Sequence, residues 1–355
     1  LVKERKRFTK ALGFVVVERR PCPIPPLWAG ELLGSAMNND KVTLTYSLLQ
    51  SFKLCRRKAK LRYWDNLVPL EKALPLHFGG TFASCLEGGL LVPVDRFVRD
   101  QFPEDVENRQ RCLQMVYAYL ERYGGEAWDQ DQREVVFRGP IKNPATGRSA
   151  PLFELAGKID RLVRDETGWW LLETKTAATI SSDYLERLWS DFQVRLYQLA
   201  AKNFLGLDIK GVIYDICQKC ALKKKEPETQ AEFLERLAKL IAKSKTGKSS
   251  AKRQEGEDEA TFGERVRQWY RDHPEAFHRE QLLFTDSRID LLEQELWDLH
   301  LEILAVQKSG RWYQNTAACH NYNRQCTYWP ICTEGMKEHF MGNIYELKEP
   351  HEELR

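Results

Sequence analysis

Apolar positions in this chain recur with two periods, and the switch between them divides the sequence. From Thr45 to Asp65 (TYSLLQSFKLCRRKAKLRYWD) they return every three to four residues, the spacing of one helix face. The polar side of that helix is strongly basic, with Arg56, Arg57, Lys58, Lys60 and Arg62 in one short run. The same spacing predicts a second helix over Thr81–Leu91, after the Gly79-Gly80 pair, and a third over 104–123 that stops at Gly124-Gly125. The period then shortens. REVVFRG (133–139), LFELAGKIDRLVR (152–164), WWLLETKT (169–176) and GVIYDICQK (211–219) are β-branched or aromatic runs bounded by turn residues, and they read as strands. A long amphipathic helix from Tyr184 to Phe204 separates the last two. Strand–helix–strand order implies an α/β fold, a central mixed sheet flanked by helices.

Outside these elements, residues 20–40 are rich in Pro and Gly and form an irregular lead-in. Residues 223–260 are of low complexity: Lys223-Lys224-Lys225, then KSKTGKSSAKR, then the acidic EGEDE, the signature of a solvated arm. Helical spacing resumes over 262–308. The chain thus divides into a lead-in (1–44), a helical region (45–130), an α/β core (131–222), a basic arm with a helical insert (223–310) and a C-terminal region (311–355).

With 43% hydrophobic residues in 355, there is enough apolar surface for one large core or two modest ones. Lys and Arg (54) nearly balance Asp and Glu (51), so any basic surface for a polyanion must be local. No apolar run reaches the roughly 18–20 residues that span a bilayer, so no membrane partner is expected. Lys3, Arg5, Lys6 and Arg7 followed by the apolar Ala11–Val17 resemble the start of a signal peptide. That stretch runs directly into Glu18-Arg19-Arg20 without a small-residue cleavage site, and an intracellular protein is the expectation.

Nine cysteines are too few for a disulfide scaffold, and their odd number argues against complete pairing. Cys22, Cys55, Cys85 and Cys112 are scattered and Cys217-x2-Cys220 forms one pair. Cys319, Cys326 and Cys332 crowd the C-terminal end, where metal binding is the natural explanation.

The segment GKIDRLVRDETGWWLLETKT (157–176) carries most of the chemistry. Asp165-Glu166-Thr167-Gly168 is a turn signal between two strand-like runs, which predicts a β-hairpin. Centring the turn between Glu166 and Thr167 gives cross-strand partners whose numbers sum to 333, and Asp160 and Glu173 meet that condition. Opposed residues share a face with Cβ atoms about 5 Å apart, and Lys175 joins Glu173 by the period of two. Two opposed carboxylates repel, so they call for a cation. A hard ion such as Mg2+ or Mn2+, held by one or two carboxylates plus substrate phosphate, supplies one.

These residues carry a resemblance. Asp160 followed by Glu173-Thr174-Lys175 resembles the GxxD…ExK core of the PD-(D/E)XK nuclease superfamily, in its RecB-like branch. Gln193-Val194-Arg195-Leu196-Tyr197 resembles that branch's QxxxY motif, with Gln193 and Tyr197 on one helix face. The resemblance implies a restriction-endonuclease-like core. It implies catalytic roles for Asp160, Glu173, Lys175, Gln193 and Tyr197, and metal binding by Asp160, Glu173 and the backbone carbonyl of Thr174. The branch usually places a histidine ligand on the preceding helix in a G-T-x-x-H-x-x-L-E pattern. Gly80-Thr81-Phe82-Ala83-Ser84-Cys85-Leu86-Glu87 puts Ala83 there, and His77 lies six residues too early.

Cys55 lies in YSLLQSFKLCRRKAKLRY, which resembles the first cysteine motif of RecB-like nucleases carrying a [4Fe–4S] cluster. Those proteins place one cysteine before the core and three after it, which implies Cys55, Cys319, Cys326 and Cys332 as ligands and an iron–sulfur clip on the C-terminus. Zinc held by Cys217, Cys220 and two tail cysteines is the alternative, with His320 as a substitute ligand. The 262–308 segment resembles the helical insert of phage-type members.

The resemblance implies a metal-dependent deoxyribonuclease, an exonuclease or end-processing enzyme in a bacterial or phage-infected cytoplasm. Its partner would be single-stranded DNA or duplex ends, alongside replication or recombination proteins. Arg56, Arg57, Lys60 and Arg195 are the candidate phosphate contacts. Ala83 keeps a second reading open: a DNA-binding module that retains the fold and the cluster without turnover.

Overall fold

The structure, a computed structural model, describes residues 41–355 except 72, 88–91, 245, 284, 322–323, 352–353 and 355. The basic N-terminal segment, Cys22 and the lead-in up to residue 40 lie outside the described residues, while the end of the lead-in, expected to be irregular, forms a strand. Strand β1 (Val42–Leu44) leads into helices α1 (Tyr46–Leu54) and α2 (Arg56–Tyr63), the short β2 (Leu67–Pro69), and helices α3 (Leu74–Glu87), α4 (Val94–Gln101) and α5 (Val106–Tyr123). Strands β3 (Gln130–Lys142), β4 (Ser149–Asp165) and β5 (Gly168–Ala177) follow, then α6 (Ser182–Leu188), α7 (Phe192–Ala200) and β6 (Ile209–Gln218). The remainder is α8 (Gln230–Lys243), α9 (Glu259–Asp272), β7 (Phe277–Leu283), α10 (Asp286–Ser309), the two-residue strands β8 (His320–Asn321) and β9 (Arg324–Gln325), α11 (Trp329–Glu334) and β10 (Tyr345–Leu347).

The central sheet has the order β1-β4-β5-β6-β7, with β3 also pairing β4. The β4–β5 hairpin has the register expected from its turn: Leu162 opposes Leu171, Val163 opposes Trp170 and Asp165 opposes Gly168. The Asp165 carboxylate fixes that turn by accepting from the backbone N–H groups of Thr167 (2.8 Å) and Gly168 (3.1 Å). β5 and β6 run parallel, joined through α6 and α7. One side of β4 is shared by two strands. β1 pairs with Phe153–Leu155 and β5 with Leu162–Asp165, so the strand edge between them, which includes Asp160, lies where the two neighbours diverge.

Helices cover both faces of this sheet. One core packs α1, α7 and α10 on Leu155, Leu171, Val212, Tyr214 and Ile216. The other packs α3, α4, α5 and α9 around Cys217 and Phe277. Strand β6 is buried on both faces from Gly211 to Cys217, as a central strand must be. Among the described residues no helix is long and apolar enough to cross a membrane.

The elements depart from expectation at six places. The basic helix is broken at Cys55, whose extended backbone (φ −162°) ends α1 and begins α2. The next helix starts at Leu74 and runs through the glycine pair. Gly79 lies close to β5 there, and a Cβ would make a tight 3.3 Å contact with Thr176 Oγ1. The 184–204 helix is two helices, since Asp191 caps a fresh start by accepting from Gln193 N at 2.9 Å. Helix α4 has no counterpart in the sequence reading. The arm contains α8, opened by a Thr229–Glu232 capping box and with no buried residue. The 262–308 stretch holds a strand, β7, antiparallel to β6 and anchored by an Arg279–Asp215 pair (2.6 and 2.8 Å).

Candidate active site and cysteine pocket

Glu173 and Lys175 follow Leu171 on one face of β5, and the same alternation gives that face to the core beneath α7. Glu173 is only 4% exposed. A buried carboxylate needs a partner, and Lys175 Nζ donates to its Oε1 at 2.6 Å. Lys175 Nζ donates as well to Gln193 Oε1 (2.8 Å), and Gln193 Nε2 donates to the Tyr197 hydroxyl (3.2 Å). The ExK and QxxxY motifs are thus one hydrogen-bonded chain from strand to helix. Burial works against the Lys175 ammonium. The charges of Glu173 and then Asp191 outweigh it and hold the group protonated well above the ordinary lysine range.

Asp160 lies two residues before Leu162, where the β4–β5 pairing ends, and is close enough to Glu173 to feel its charge. Burial, then the negative charge of Glu173, pushes its carboxyl from 3.8 up to about 7; Lys175 opposes this, while Glu134 and Glu87 add to it. Two acids therefore share one lysine, and the second is left undercompensated. On α3, Gly79, Ala83 and Glu87 are spaced four apart and form one stripe. Gly79 touches β5 at Thr176 and Glu87 acts electrostatically on Asp160, which places the half-buried Ala83 between them. His77 is engaged elsewhere, with Nε2 at 2.8 Å from the Gln101 carbonyl oxygen.

Three contributors carried little sequence signal. Asp191 accepts from the Tyr214 hydroxyl (3.2 Å) and reinforces the Lys175 charge; an Asp two residues before Gln193 is a cap signal that could have found it. The Tyr46 phenol is pushed up by burial and then by Asp191. Glu134, between the Arg133↔Arg161 and Val135↔Ile159 pairs of β3 and β4, pairs with Lys158 and acts on Asp160, on a left-handed backbone (φ 54°) that a glutamate adopts only under strain.

The four cysteines expected to act together line one pocket: Cys55, Cys319, Cys326 and Cys332, with Lys58, Tyr328 and Trp329. The break at Cys55 turns its thiol toward the tail, where Asn315 N donates to Sγ at 3.4 Å. Gln314 Nε2 donates to Cys319 Sγ at 3.1 Å, and the Cys326 N–H bonds the Cys319 carbonyl at 2.8 Å. Burial raises the Cys332 thiol pKa, and an Arg57 hydrogen bond lowers it. As placed, among the described residues, no group of three or more His, Cys, Asp or Glu is arranged to hold a metal ion. Cys217 and Cys220 are buried in the second core beside Tyr270 and Phe277, outside this pocket; burial pushes both thiols up. His320 packs edge-on to Trp329, ring centroids 5.0 Å apart.

The four candidate phosphate contacts are engaged within the chain. Arg56 pairs with Glu302 (2.7 Å) and stacks on Tyr313, Lys60 pairs with Asp65 (2.6 Å), Arg195 lies 3.7 Å from Glu295, and Arg57 reaches Cys332.

No curated protein matches the sequence. Among solved structures, a candidate exonuclease from Eubacterium rectale is similar over 89% of this chain and 100% of its own, at 11% identity and a TM-score of 0.43. A second, SSO0001, is similar over 67% of this chain and 80% of its own, at 11% identity and a TM-score of 0.24. The sequence profile of the PD-(D/E)XK nuclease superfamily matches residues 43–333, a span that contains the Asp160–Glu173–Lys175 centre, the Gln193–Tyr197 helix and all four pocket cysteines. The chain belongs to the PD-(D/E)XK nuclease superfamily.

Proposed function

We propose that this protein is a metal-dependent deoxyribonuclease of the RecB-like branch that works from DNA ends. The observation that carries the reading is the Glu173–Lys175–Gln193 hydrogen-bonded unit with the Asp160 carboxyl near enough to be perturbed by Glu173. The undercompensated Asp160–Glu173 pair fits a divalent cation, and these carboxylates with the Thr174 carbonyl would hold Mg2+ or Mn2+. Three protein oxygens suit such ions, which keep several waters and take further oxygens from substrate. When bound, the ion supplies Lewis-acid stabilisation and a more acidic water. Lys175, already protonated, acts as a cation: its ammonium orients the attacking water and offsets charge building on the phosphate. Gln193 fixes that ammonium and Tyr197 fixes Gln193.

The convergence of four cysteines in one pocket, with N–H donors aimed at two of the sulfurs, supports a [4Fe–4S] cluster on Cys55, Cys319, Cys326 and Cys332. It would tie α2 to the C-terminal region. Ala83, where an imidazole ligand is usual, favours a second reading as a DNA-binding module with weak or no turnover.

Incubation of end-labelled linear DNA with Mn2+ and oxygen-free protein tests the proposal. The parent should shorten the label progressively, and Lys175→Ala should slow it by about 10^2–10^3-fold. Equal cleavage by both would overturn the assignment.

A further inference from the structure

Beside Asp160 and Glu173 lies a second ionic group that the nuclease motifs do not use: Lys158 on β4, Glu134 on β3 and Glu87 at the end of α3. The period of two puts Lys158 on the same side of β4 as Asp160. Its ammonium pairs with Glu134 Oε2, and both side chains are half-buried. Arg133, next to Glu134, donates from Nη1 to the Leu86 carbonyl (2.6 Å), which holds the end of α3, and Glu87 with it, against this part of β3.

Glu134 is more than an ordinary strand residue with a surface partner. Its left-handed φ falls in the middle of β3, and strain of that kind persists where the surroundings over-determine it, most often at functional sites. Its Oε1 is buried without a hydrogen-bond partner, which calls for a reason. Burial works against the Lys158 ammonium, and Glu134, then Glu87 and Asp160, outweigh it. Burial and then Glu134 disfavour the Glu87 carboxylate, and Lys158 relieves it. Carboxylates from three elements therefore face one ammonium, with Ala83 one helical turn from Glu87.

Several carboxylates around one cation is the composition of a divalent-metal site. Here the cation belongs to the chain. Glu134 is turned to Lys158, and among the described residues no group of three or more His, Cys, Asp or Glu is arranged to hold a metal ion. Where two ions serve one phosphoryl centre they lie about 3.5–4 Å apart and share a neighbourhood of acids. Asp160 has that place here, since it feels Glu173 on one side and Lys158, Glu134 and Glu87 on the other.

We propose that Lys158 is a positioning residue of the metal centre: clamped by Glu134, its ammonium stands in for a second divalent ion and limits the centre to one, held at Asp160 and Glu173. The inference rests on the nuclease reading and sets its metal stoichiometry.

Electron paramagnetic resonance of free Mn2+, which counts bound ions by difference, tests this on the full chain without DNA or oxygen. Lys158→Met keeps the stem and removes the charge. It should saturate at two ions per chain, where the parent and Lys158→Arg saturate at one. Adding Glu134→Gln to Lys158→Met should return the count to one. Glu134→Gln alone frees the ammonium to turn on Asp160 and should weaken the single site about tenfold, a result independent of how well Lys158→Met folds. One ion in folded Lys158→Met, two in the parent, or parent-like affinity in Glu134→Gln would each overturn the role of Lys158 while the metal centre stands. If the parent and Lys158→Met bind no Mn2+, the metal-dependent reading fails and takes Lys158 with it.

Discussion

Replacing Asp160 by Asn should stabilise the metal-free protein, and the gain should depend on pH. The folded carboxyl titrates at about 7, against an ordinary value of 3.8, because burial and Glu173 disfavour its ionised form. A folded-state pKa raised above the unfolded one means that the unfolded chain releases the proton first. Below about pH 4 both states are protonated and Asp160 costs nothing. Between pH 4 and 7 the cost grows by about 1.4 kcal/mol per pH unit. Above 7 it is constant, at most about 4 kcal/mol and roughly 2–4 kcal/mol after solvent screening. Asn does not titrate. Urea unfolding of parent and Asp160→Asn in EDTA should therefore give matching midpoints near pH 4 and a more stable variant at pH 8. Mn2+ should reverse the order at pH 8 by stabilising the parent through binding to the native state alone. A difference that does not change with pH, or a variant less stable than the parent at pH 8 in EDTA, would refute the argument.

Two further outcomes follow from other parts of the molecule. Arg279→Ala strips the partner from Asp215, a carboxylate 1% exposed that keeps only the Tyr119 hydroxyl (2.7 Å), and should cost about 3–5 kcal/mol in chemical unfolding. Cys55→Ser should lose bound iron, inorganic sulfide and visible absorbance, whereas Lys175→Ala should keep all three; equal loss in both would contradict separate cofactor and catalytic sites.

The candidate centre was legible in the sequence because its register is set locally. The Asp165 carboxylate ties down its own turn, the Leu162–Leu171 register follows, and the period of two puts Glu173 and Lys175 on one face of β5. Features fixed by distant chain segments were not legible. Strand β7 (FHREQLL) has no β-branched residue and becomes a strand because Phe277, Leu282 and Arg279 find partners on β6 and α5. The basic run of α2 reads as a phosphate track, but Glu302, more than two hundred residues later, pairs with Arg56. A cleft of about 600 Å3 opens beside Lys175, and it was hidden for the same reason, since its walls come from segments more than a hundred residues apart.

The central claim is that Asp160, Glu173 and Lys175 form a nuclease centre short of one metal ligand at Ala83. Cleavage of end-labelled linear DNA across a Mn2+ titration, by the parent and by Ala83→His, both kept free of oxygen, tests it most directly. The account predicts that Ala83→His cuts at lower Mn2+ than the parent and that adding Lys175→Ala removes the activity. Failure of both proteins to cut at any Mn2+ concentration, while both bind DNA, would contradict it.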